Sequence, residues 1–186
     1  QPASYDPSSV DDLKNKDQEM LDKFETHAGT ELKSPANLSH LSADDYDGVF
    51  LPGGHGTMWD MPTNETLGQL ISDFYADEKL VSAVCHGPAG LIPAKKANGE
   101  PLVKGLKTNC FTNAEEEKIE FEKIMPFALE TALRDQGADF ENSGIFASHV
   151  AKDGHLVTGQ NPTSLTELTK AMNDVLDKQV TQSKAA

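Results

Sequence analysis

The sequence predicts an α/β sandwich built around a mostly parallel sheet. Short apolar runs, typical of buried strands, alternate with segments whose apolar residues recur at helical spacing. Two of those runs, residues 47–52 and 79–84, lead directly into glycine-containing turns, a pattern that favours strands of an α/β unit. With 186 residues, the chain is expected to form one domain, residues 1–186, which can bury about 70% of its extended surface.

The first half of the chain contains a weak helix pattern, a strong strand pattern and a strong helix pattern, with loops before and between them. Residues 1–8 and 27–45 are rich in polar side chains, with prolines and a glycine among them, and predict loops. Residues 9–26 carry a sparse stripe of apolar side chains that predicts a helix. Residues 47–52 form a continuous apolar run and predict a buried strand. Residues 64–77 predict an amphipathic helix, because their apolar side chains return every three or four positions.

Strand and helix patterns continue to alternate through the second half. The predicted strands are 79–84, 108–111, 148–152 and 155–158, and Asp153–Gly154 predicts a hairpin turn between the last two. The predicted helices are a short one that ends near residue 92, then 115–125, 126–135 and 163–178. Pro126 is interpreted as the first residue of its helix, where a missing N–H does no harm. The inward side chains of the last helix are Leu165, Leu168, Met172, Val175 and Leu176.

Charge and cysteine content exclude several kinds of partner. Lys and Arg number 16 against 30 Asp and Glu, so the net charge is −14, which repels nucleic acid and anionic lipid. No apolar run approaches the ~20 residues of a membrane span, and no signal peptide is visible. The chain has only two cysteines, and a domain of this size needs no disulfide. We therefore expect a cytoplasmic protein that binds neither nucleic acid nor membrane.

Cys85 is the most informative residue of the sequence. It stands where the predicted strand 79–84 breaks into a helix, with Ala83 two residues before it and Gly87 two residues after it. Small neighbours at these positions are typical of a nucleophile elbow, whose turn leaves no room for larger side chains. Helix N–H groups directed at the sulfur predict a thiol pKa well below the ordinary value. The alternative is a structural cysteine that happens to precede a helix.

A second glycine-rich turn follows the strand 47–52. Glycine at the carboxyl end of a strand lets the backbone approach a ligand closely. If this turn lies beside the elbow, the N–H groups of Gly54 and His86 are placed to form an oxyanion hole. The alternative is a loop that needs a positive φ angle. No Gly–Lys–Ser/Thr sequence follows, so the turn is not a phosphate-binding loop.

These motifs together resemble the ThiJ/PfpI superfamily, in its branch of glutathione-independent glyoxalases (glyoxalase III) and heat-inducible chaperones. The two central motifs are FLPGGHGTMWD, residues 50–60, and AVCHGP, residues 83–88. Three later stretches fit the same branch: FTNAEEE, MPFALE and DGHLVTGQNP. The resemblance extends from about residue 2 to residue 178 and implies a flavodoxin-like three-layer sandwich.

The resemblance also implies a Cys–His–acid triad. Cys85 matches the family nucleophile, and His86 matches the triad histidine. The spacing from Phe111 assigns the acid to Glu116, with Glu115 as the competitor. Acids in a first helical turn otherwise serve only to complement the helix dipole. Gly54 matches the glycine of the oxyanion hole.

Other polar residues carry weaker expectations. His55 and Trp59 either line the pocket or serve turn and core packing. His149 and Asn161 lie at ends of predicted strands and are within possible reach of the pocket. The remaining histidines, His27, His40 and His155, are expected at the surface, and Cys110 in the core. No group of His, Cys and acidic residues has the sequence spacing of metal ligands, so we expect no required metal.

The activity implied by the resemblance is that of a lyase without a cofactor. It converts 2-oxoaldehydes such as methylglyoxal to 2-hydroxy acids such as lactate, through a hemithioacetal on Cys85. The same addition would suit removal of early glyoxal adducts, a deglycase-like reaction. The alternatives are a stress-induced holdase chaperone and a cysteine peptidase of the same fold. A glutamine amidotransferase fits less well, because no His-x-Glu sequence occurs late in the chain.

The resemblance further implies polypeptide beyond this sequence. Family members carry a strand and a helix ahead of the stretch that matches residues 5–12, and that strand brings a glutamate to the catalytic sulfur. Nothing before residue 47 predicts a buried strand. We expect additional polypeptide to pair beside the strand 47–52 or 79–84, with a carboxylate near Cys85. A homodimer is also compatible with the family.

Overall fold

The computed structural model describes residues 10–11 and 17–183, and it divides the chain into two compact units, 1–41 and 42–186. In the first unit, α1 (Gln18–Thr26) begins at Asp17, whose side chain accepts a hydrogen bond from the Met20 N–H. A short helix, α2 (Ala28–Glu31), and a 3₁₀ turn at Leu38–His40 follow. Short helical turns therefore replace part of the loop predicted for 27–45. The loop predicted for 1–8 lies outside the described residues, as does part of the helix predicted for 9–26.

The second unit contains a four-stranded sheet in the order β1–β2–β6–β5. Its strands are β1 (Gly48–Leu51), β2 (Leu80–Val84), β5 (Val150–Asp153) and β6 (Leu156–Gly159). The first three strands in this order are parallel, and β5 returns antiparallel to β6 through the predicted hairpin. A small parallel pair, β3 (Lys107–Thr108) and β4 (Asp139–Phe140), lies outside this sheet. The predicted α/β fold class is confirmed, and the carboxyl ends of β1, β2 and β6 meet at one edge.

Helices flank the main sheet. The helices of this unit are α3 (Thr57–Asp60), α4 (Glu65–Ala76), α5 (Asn113–Lys118), α6 (Leu129–Asp135) and α7 (Leu165–Ser183). Short 3₁₀ turns occur at Ala43–Asp45, Met61–Thr63, Gly87–Leu91 and Pro162–Ser164. None of the helices in the described part of the chain is long and apolar enough to cross a membrane.

The core forms where α4 and α7 pack against β2 and its neighbours. All five residues of β2 are buried, and α4 contacts both β1 and β2 through its buried face. On α7, Leu168 and Val175 pack with Leu80, Val84 and Val157. Each such side chain contributes roughly 1.5–3 kcal/mol when it is fully buried. The strand that leads into Cys85 is thus buried along its whole length.

Several predicted elements differ from the structure. The helix predicted for 115–125 ends at Lys118, because Glu120 takes a positive φ of 60° that a helix cannot continue through. The next helix begins at Leu129 instead of Pro126, which lies in the intervening turns. Leu165 is 43% exposed, not inward, because it is the first residue of α7.

The strand predicted for 108–111 is limited to β3. Its ladder stops after Thr108, because the Asn109 N–H donates to the side-chain oxygen of Thr158 and not to a backbone carbonyl. The two-residue strand β4 was not predicted, since nothing in the sequence distinguishes so short an element from a loop.

Candidate active site

Cys85 occupies a strained turn at the carboxyl end of β2. Its φ angle is +61°, in the left-handed region that costs a non-glycine residue about 1–3 kcal/mol. Two backbone hydrogen bonds hold this conformation. The Cys85 N–H donates to the Gly159 carbonyl at 2.9 Å, and the Phe111 N–H donates to the Cys85 carbonyl at 2.8 Å. The predicted elbow is therefore fixed between the ends of β6 and the segment that follows β3.

Two glycines let the turn after β1 approach this elbow. A Cβ atom on Gly87 would lie 2.1 Å from the Leu51 carbonyl oxygen, and one on Gly53 would lie 2.6 Å from the Cβ of Cys85. Both distances are far below van der Waals contact, so neither position accepts a side chain without a backbone shift. The close approach brings Gly54 to the sulfur.

The structure connects Cys85, His86 and Glu116 through two successive side-chain contacts. The Cys85 sulfur lies 3.3 Å from His86 Nδ1, and His86 Nε2 lies 2.9 Å from Glu116 Oε1. His86 is 1% exposed and Glu116 is 8% exposed, so their contact is shielded from water. This is the arrangement of nucleophile, base and orienting acid found in catalytic triads.

Glu115 is directed away from His86 and has a structural role. Its carboxylate accepts hydrogen bonds from the backbone and side chain of Thr112, the helix N-cap, which form a capping box. It also accepts from the Phe146 N–H and from the side chains of Gln160 and Asn161. This fully buried carboxylate joins α5, the loop before β5 and the end of β6. The sequence could not distinguish it from Glu116 except by the family match.

His55 is a second partner of Glu116, a role that sequence reasoning missed. Its Nε2 lies 3.2 Å from Glu116 Oε1, the same oxygen that contacts His86. Its ring lies 4.3 Å from the ring of His86 and 4.7 Å from that of Phe121. His55 follows β1 while Glu116 lies in α5, 61 residues later in the chain, so only the folded chain shows the contact. Phe111 lies on the other side of the site, 4.8 Å from the His86 ring.

The turn after β1 also carries Gly54, one of the two predicted oxyanion-hole donors. Gly54 has a φ of +119°, and the backbone N–H groups of Gly54 and His86 both act to lower the pKa of the Cys85 thiol. Donors at the sulfur are placed near where an oxygen on the attacked carbon would develop charge. Trp59 lies on α3 and is 53% exposed, which contradicts the core-packing alternative for this residue.

The thiol pKa differs from the sequence prediction. Burial raises the pKa of Cys85 to about 12, and the charges of Glu115 and Glu116 act in the same direction. The N–H groups of His86 and Gly54 oppose this shift but do not outweigh it. The prediction of a low pKa was wrong because it considered the N–H groups directed at the sulfur and not the burial of the sulfur itself.

The pKa of His86 is also shifted, in the downward direction. Burial is the main cause, and His55 adds to it, whereas the hydrogen bond to Glu116 opposes it. The resting pair is therefore a neutral thiol facing a neutral imidazole. Such an imidazole is ready to accept the thiol proton when the sulfur attacks.

The remaining predicted residues do not take part in the contacts between Cys85, His86 and Glu116. Asn161 donates to Glu115, and His149 lies near Ser143 and Glu141, so neither contacts the triad. Cys110 is fully buried, as expected, with its thiol on the Phe111 carbonyl.

The other three histidines divide into two groups. His27 and His40 are exposed, as predicted. His155 is half-buried against the ring of Tyr75, which contradicts its predicted surface position.

Three side chains form a cluster that is capable of holding a metal ion. One ligand atom from each of His55, His86 and Glu116 lies within 4.8 Å of the others. The sequence showed no such group, because the three residues are about thirty positions apart along the chain. Metal-ligand spacing in sequence was therefore an insufficient criterion here.

A cysteine on a positive-φ elbow, at the carboxyl edge of a mostly parallel sheet and in contact with a His–acid pair, defines a class of proteins on a flavodoxin-like fold. Comparison with known proteins gives the particular family: residues 15–174 match the DJ-1/PfpI family. The chain belongs to this family.

The relatives that it matches include named glyoxalases. Glyoxalase 3 of Candida albicans is 34% identical over 182 residues, which is 92% of this chain and 75% of that protein. A glutathione-independent glyoxalase of Saccharomyces cerevisiae is 34% identical over 82% of this chain, which spans 64% of that relative's length. The crystal structure of glyoxalase III from C. albicans superposes with a TM-score of 0.82, at 32% identity, over 92% of this chain and 75% of that one.

Proposed function

We propose that this protein is a glutathione-independent glyoxalase that converts methylglyoxal-type 2-oxoaldehydes to 2-hydroxy acids. The observation that carries the proposal is the series of contacts from the Cys85 sulfur through His86 to Glu116. The names of the relatives from C. albicans and S. cerevisiae support the choice of substrate class.

The first step is addition of the thiol to the aldehyde carbon. As the C–S bond forms, the Cys85 proton passes to His86 Nδ1, which lies 3.3 Å from the sulfur. The aldehyde oxygen becomes an oxyanion that accepts hydrogen bonds from the Gly54 and His86 N–H groups. Glu116 stabilises the imidazolium through Nε2. Proton return to the oxyanion gives a neutral hemithioacetal.

The second step is an internal redox isomerisation. His86 removes the proton on the former aldehyde carbon, which gives an enediol, and a proton is then delivered to the neighbouring carbon. The former aldehyde carbon is oxidised to a thioester while the ketone carbon is reduced to an alcohol. No external electron acceptor and no glutathione are needed.

Water completes the cycle. Hydrolysis of the thioester releases the 2-hydroxy acid and returns the proton to the Cys85 sulfur. The net reaction is the addition of one water to the 2-oxoaldehyde. The same first step would serve a deglycase-like reaction on early glyoxal adducts. Because Cys85 must stay a free thiol, a reducing compartment such as the cytoplasm suits this activity.

The test is methylglyoxal consumption and lactate formation without glutathione. Cys85→Ser should abolish turnover, while Cys110→Ser should retain most of it, because Cys110 faces the core. Equal loss in both variants would contradict the assignment. Casein cleavage and suppression of aggregation, measured in parallel, separate the peptidase and holdase alternatives. A holdase activity should survive Cys85→Ser.

We further propose that additional polypeptide completes the sheet beside β1. Among the described residues, β1 pairs with β2 alone, and Phe50 on it is 40% exposed. A strand added there would lie near the elbow and is placed to bring a carboxylate to the Cys85 sulfur. We also propose that the chain forms a single domain and that the protein assembles as a homodimer, which is compatible with the family. Analytical ultracentrifugation of the whole protein tests the dimer.

A further inference from the structure

We propose that His55, His86 and Glu116 form an inhibitory site for a divalent transition-metal ion, with Zn²⁺ as its probe. The site shares two residues with the proposed catalytic triad. Binding there would therefore compete with catalysis and would not support it.

The donor atoms already stand close to metal geometry. Glu116 Oε1 lies 2.9 Å from His86 Nε2 and 3.2 Å from His55 Nε2, and all three donors fall within 4.8 Å. Ligands of a tetrahedral zinc ion lie roughly 3.3 Å apart, given metal–nitrogen distances of about 2.0–2.1 Å. Small rotations of the two rings would suffice to direct both nitrogens at one ion.

Both imidazoles and the carboxylate are suited to this role. Two imidazole nitrogens and one carboxylate suit a borderline metal such as Zn²⁺. The second carboxylate oxygen, Glu116 Oε2, is buried and accepts no hydrogen bond from any described residue. That oxygen is free to serve as an additional ligand or to accept from a metal-bound water.

Access to the cluster is through His55. The side chain of His55 is 33% exposed, whereas that of His86 is 2% exposed. An ion arriving from solvent meets His55 first and retains a water on the open side. The net charge of −14 raises the local concentration of cations around the protein.

Metal binding would prevent His86 from acting as the base that accepts the Cys85 proton. An ion on His86 Nε2 requires the single proton of the neutral ring to lie on Nδ1, the nitrogen that faces the Cys85 sulfur. Nδ1 then has no lone pair to accept the thiol proton. The metal also replaces Glu116 as the partner of Nε2. This consequence rests on the proposed glyoxalase function, whereas the binding site itself does not.

The test measures binding separately from activity. Isothermal titration of the protein with Zn²⁺, and absorption spectra with Co²⁺, should show one site whose tetrahedral spectrum lacks a thiolate charge-transfer band. His55→Phe should weaken binding by more than the ~10–100-fold that loss of an outer-shell partner costs. Cys85→Ser should bind as tightly as the wild type. His149→Ala is the matched control, because His149 with Glu141 forms a separate His–acid pair at 3.7 Å.

Thermal unfolding shows whether His55→Phe still folds. Its Tm without metal should stay near the wild-type value, and only the rise in Tm caused by Zn²⁺ should disappear. Loss of binding in Cys85→Ser or in His149→Ala, or unchanged binding in His55→Phe, overturns the site. If Zn²⁺ binds as expected but no methylglyoxal is consumed without metal, the proposed function fails while the site stands.

Discussion

At the scale of single residues, the protonated thiol of Cys85 decides how the site works. Its sulfur is not held as a ready thiolate, because burial and two carboxylates outweigh the two backbone N–H groups. The proton must leave during the attack, and His86 is the acceptor within reach. Proton transfer and bond formation are therefore coupled in this site.

The first prediction concerns the reactivity of this thiol. A pKa raised to about 12 leaves the thiol protonated near neutral pH, and only the thiolate is alkylated quickly. The rate of Cys85 modification by iodoacetamide should therefore keep rising up to at least pH 9. Intact-mass kinetics on Cys110→Ser, which removes the other thiol, measure this rate. A plateau below pH 8 would show a low-pKa thiolate and contradict the electrostatic argument.

The second prediction separates the two neighbouring glutamates. Glu116→Gln should reduce turnover by at least ~100-fold, because an amide cannot stabilise the imidazolium as a carboxylate does. Glu115→Gln should be nearly silent in catalysis, whereas the loss of its buried contacts should lower stability. An amide NH₂ would face the donors of Gln160 and Asn161, at a cost of about 1–3 kcal/mol.

Steady-state kinetics and thermal unfolding of both variants distinguish these roles. Glu116→Gln should keep its Tm within a few degrees, while Glu115→Gln should lower its Tm and retain kcat per folded molecule. The reverse pattern would assign the triad acid to Glu115.

At the scale of elements, the site depends on how closely β1 and β2 end beside each other. Leu51 pairs with Ala83 in the last register position, so both strands deliver their turns to the same edge. Gly53 and Gly87 then allow backbone-to-backbone contact between those turns. The oxyanion donors and the nucleophile are thereby positioned by sheet register.

The third prediction tests this contact. Gly87→Ala would put a Cβ atom 2.1 Å from the Leu51 carbonyl oxygen, so one turn must move away from the other. We expect a loss of stability of about 1–3 kcal/mol, typical of overpacking, together with loss of most activity. Denaturant unfolding and turnover measure the two effects. Gly56→Ala is the control, since a Cβ there meets nothing within 4 Å and its φ is −53°; equal effects in both variants would refute the argument.

Sequence patterns correctly predicted the elements whose apolar periodicity is strong. They failed for features that depend on backbone conformation or on contacts between residues far apart in the chain. The strands 47–52 and 79–84 and the helix 64–77 were close to β1, β2 and α4. The burial predicted for β2 is confirmed, whereas that predicted for 47–52 was wrong, because Leu51 is the one buried residue of β1 and Phe50 is 40% exposed. The end of α5 was misplaced because the positive φ of Glu120 has no sequence signal. In the site, the family match suggested Cys85, His86 and Glu116. The contact between His55 and Glu116 depends on packing over 61 residues and could not be read locally.

At the scale of the whole molecule, the two edges of the main sheet differ. One edge is β5, a hairpin strand that runs antiparallel to β6 and is contacted by β3. The other edge is β1, which has a pairing partner only in β2 among the described residues. Unpaired edges attract additional strands, either from the same protein or from another chain.

The fourth prediction uses this asymmetry. In hydrogen exchange, amides of β2 and β6 should be the slowest, because both strands are bonded on both sides and fully buried. Amides of β1 that point away from β2 should exchange at least ~100-fold faster if this chain is studied alone. Mass spectrometry with residue-level fragmentation resolves the two sets. Equal protection in β1 and β2 would mean that the outer edge of β1 is covered by a further strand.

The raised pKa of Cys85 also has a bearing on oxidative damage. Peroxide oxidises thiolates far more readily than thiols, and the products beyond sulfenic acid are not easily reversed. A resting site that holds its proton is therefore slow to be inactivated, even though Cys85 is more accessible than the fully buried Cys110. In the proposed mechanism, only an electrophile that places its oxygen between the Gly54 and His86 N–H groups receives the activated sulfur. Burial of Cys85 should therefore make the thiol both slow to oxidise and selective for its substrate.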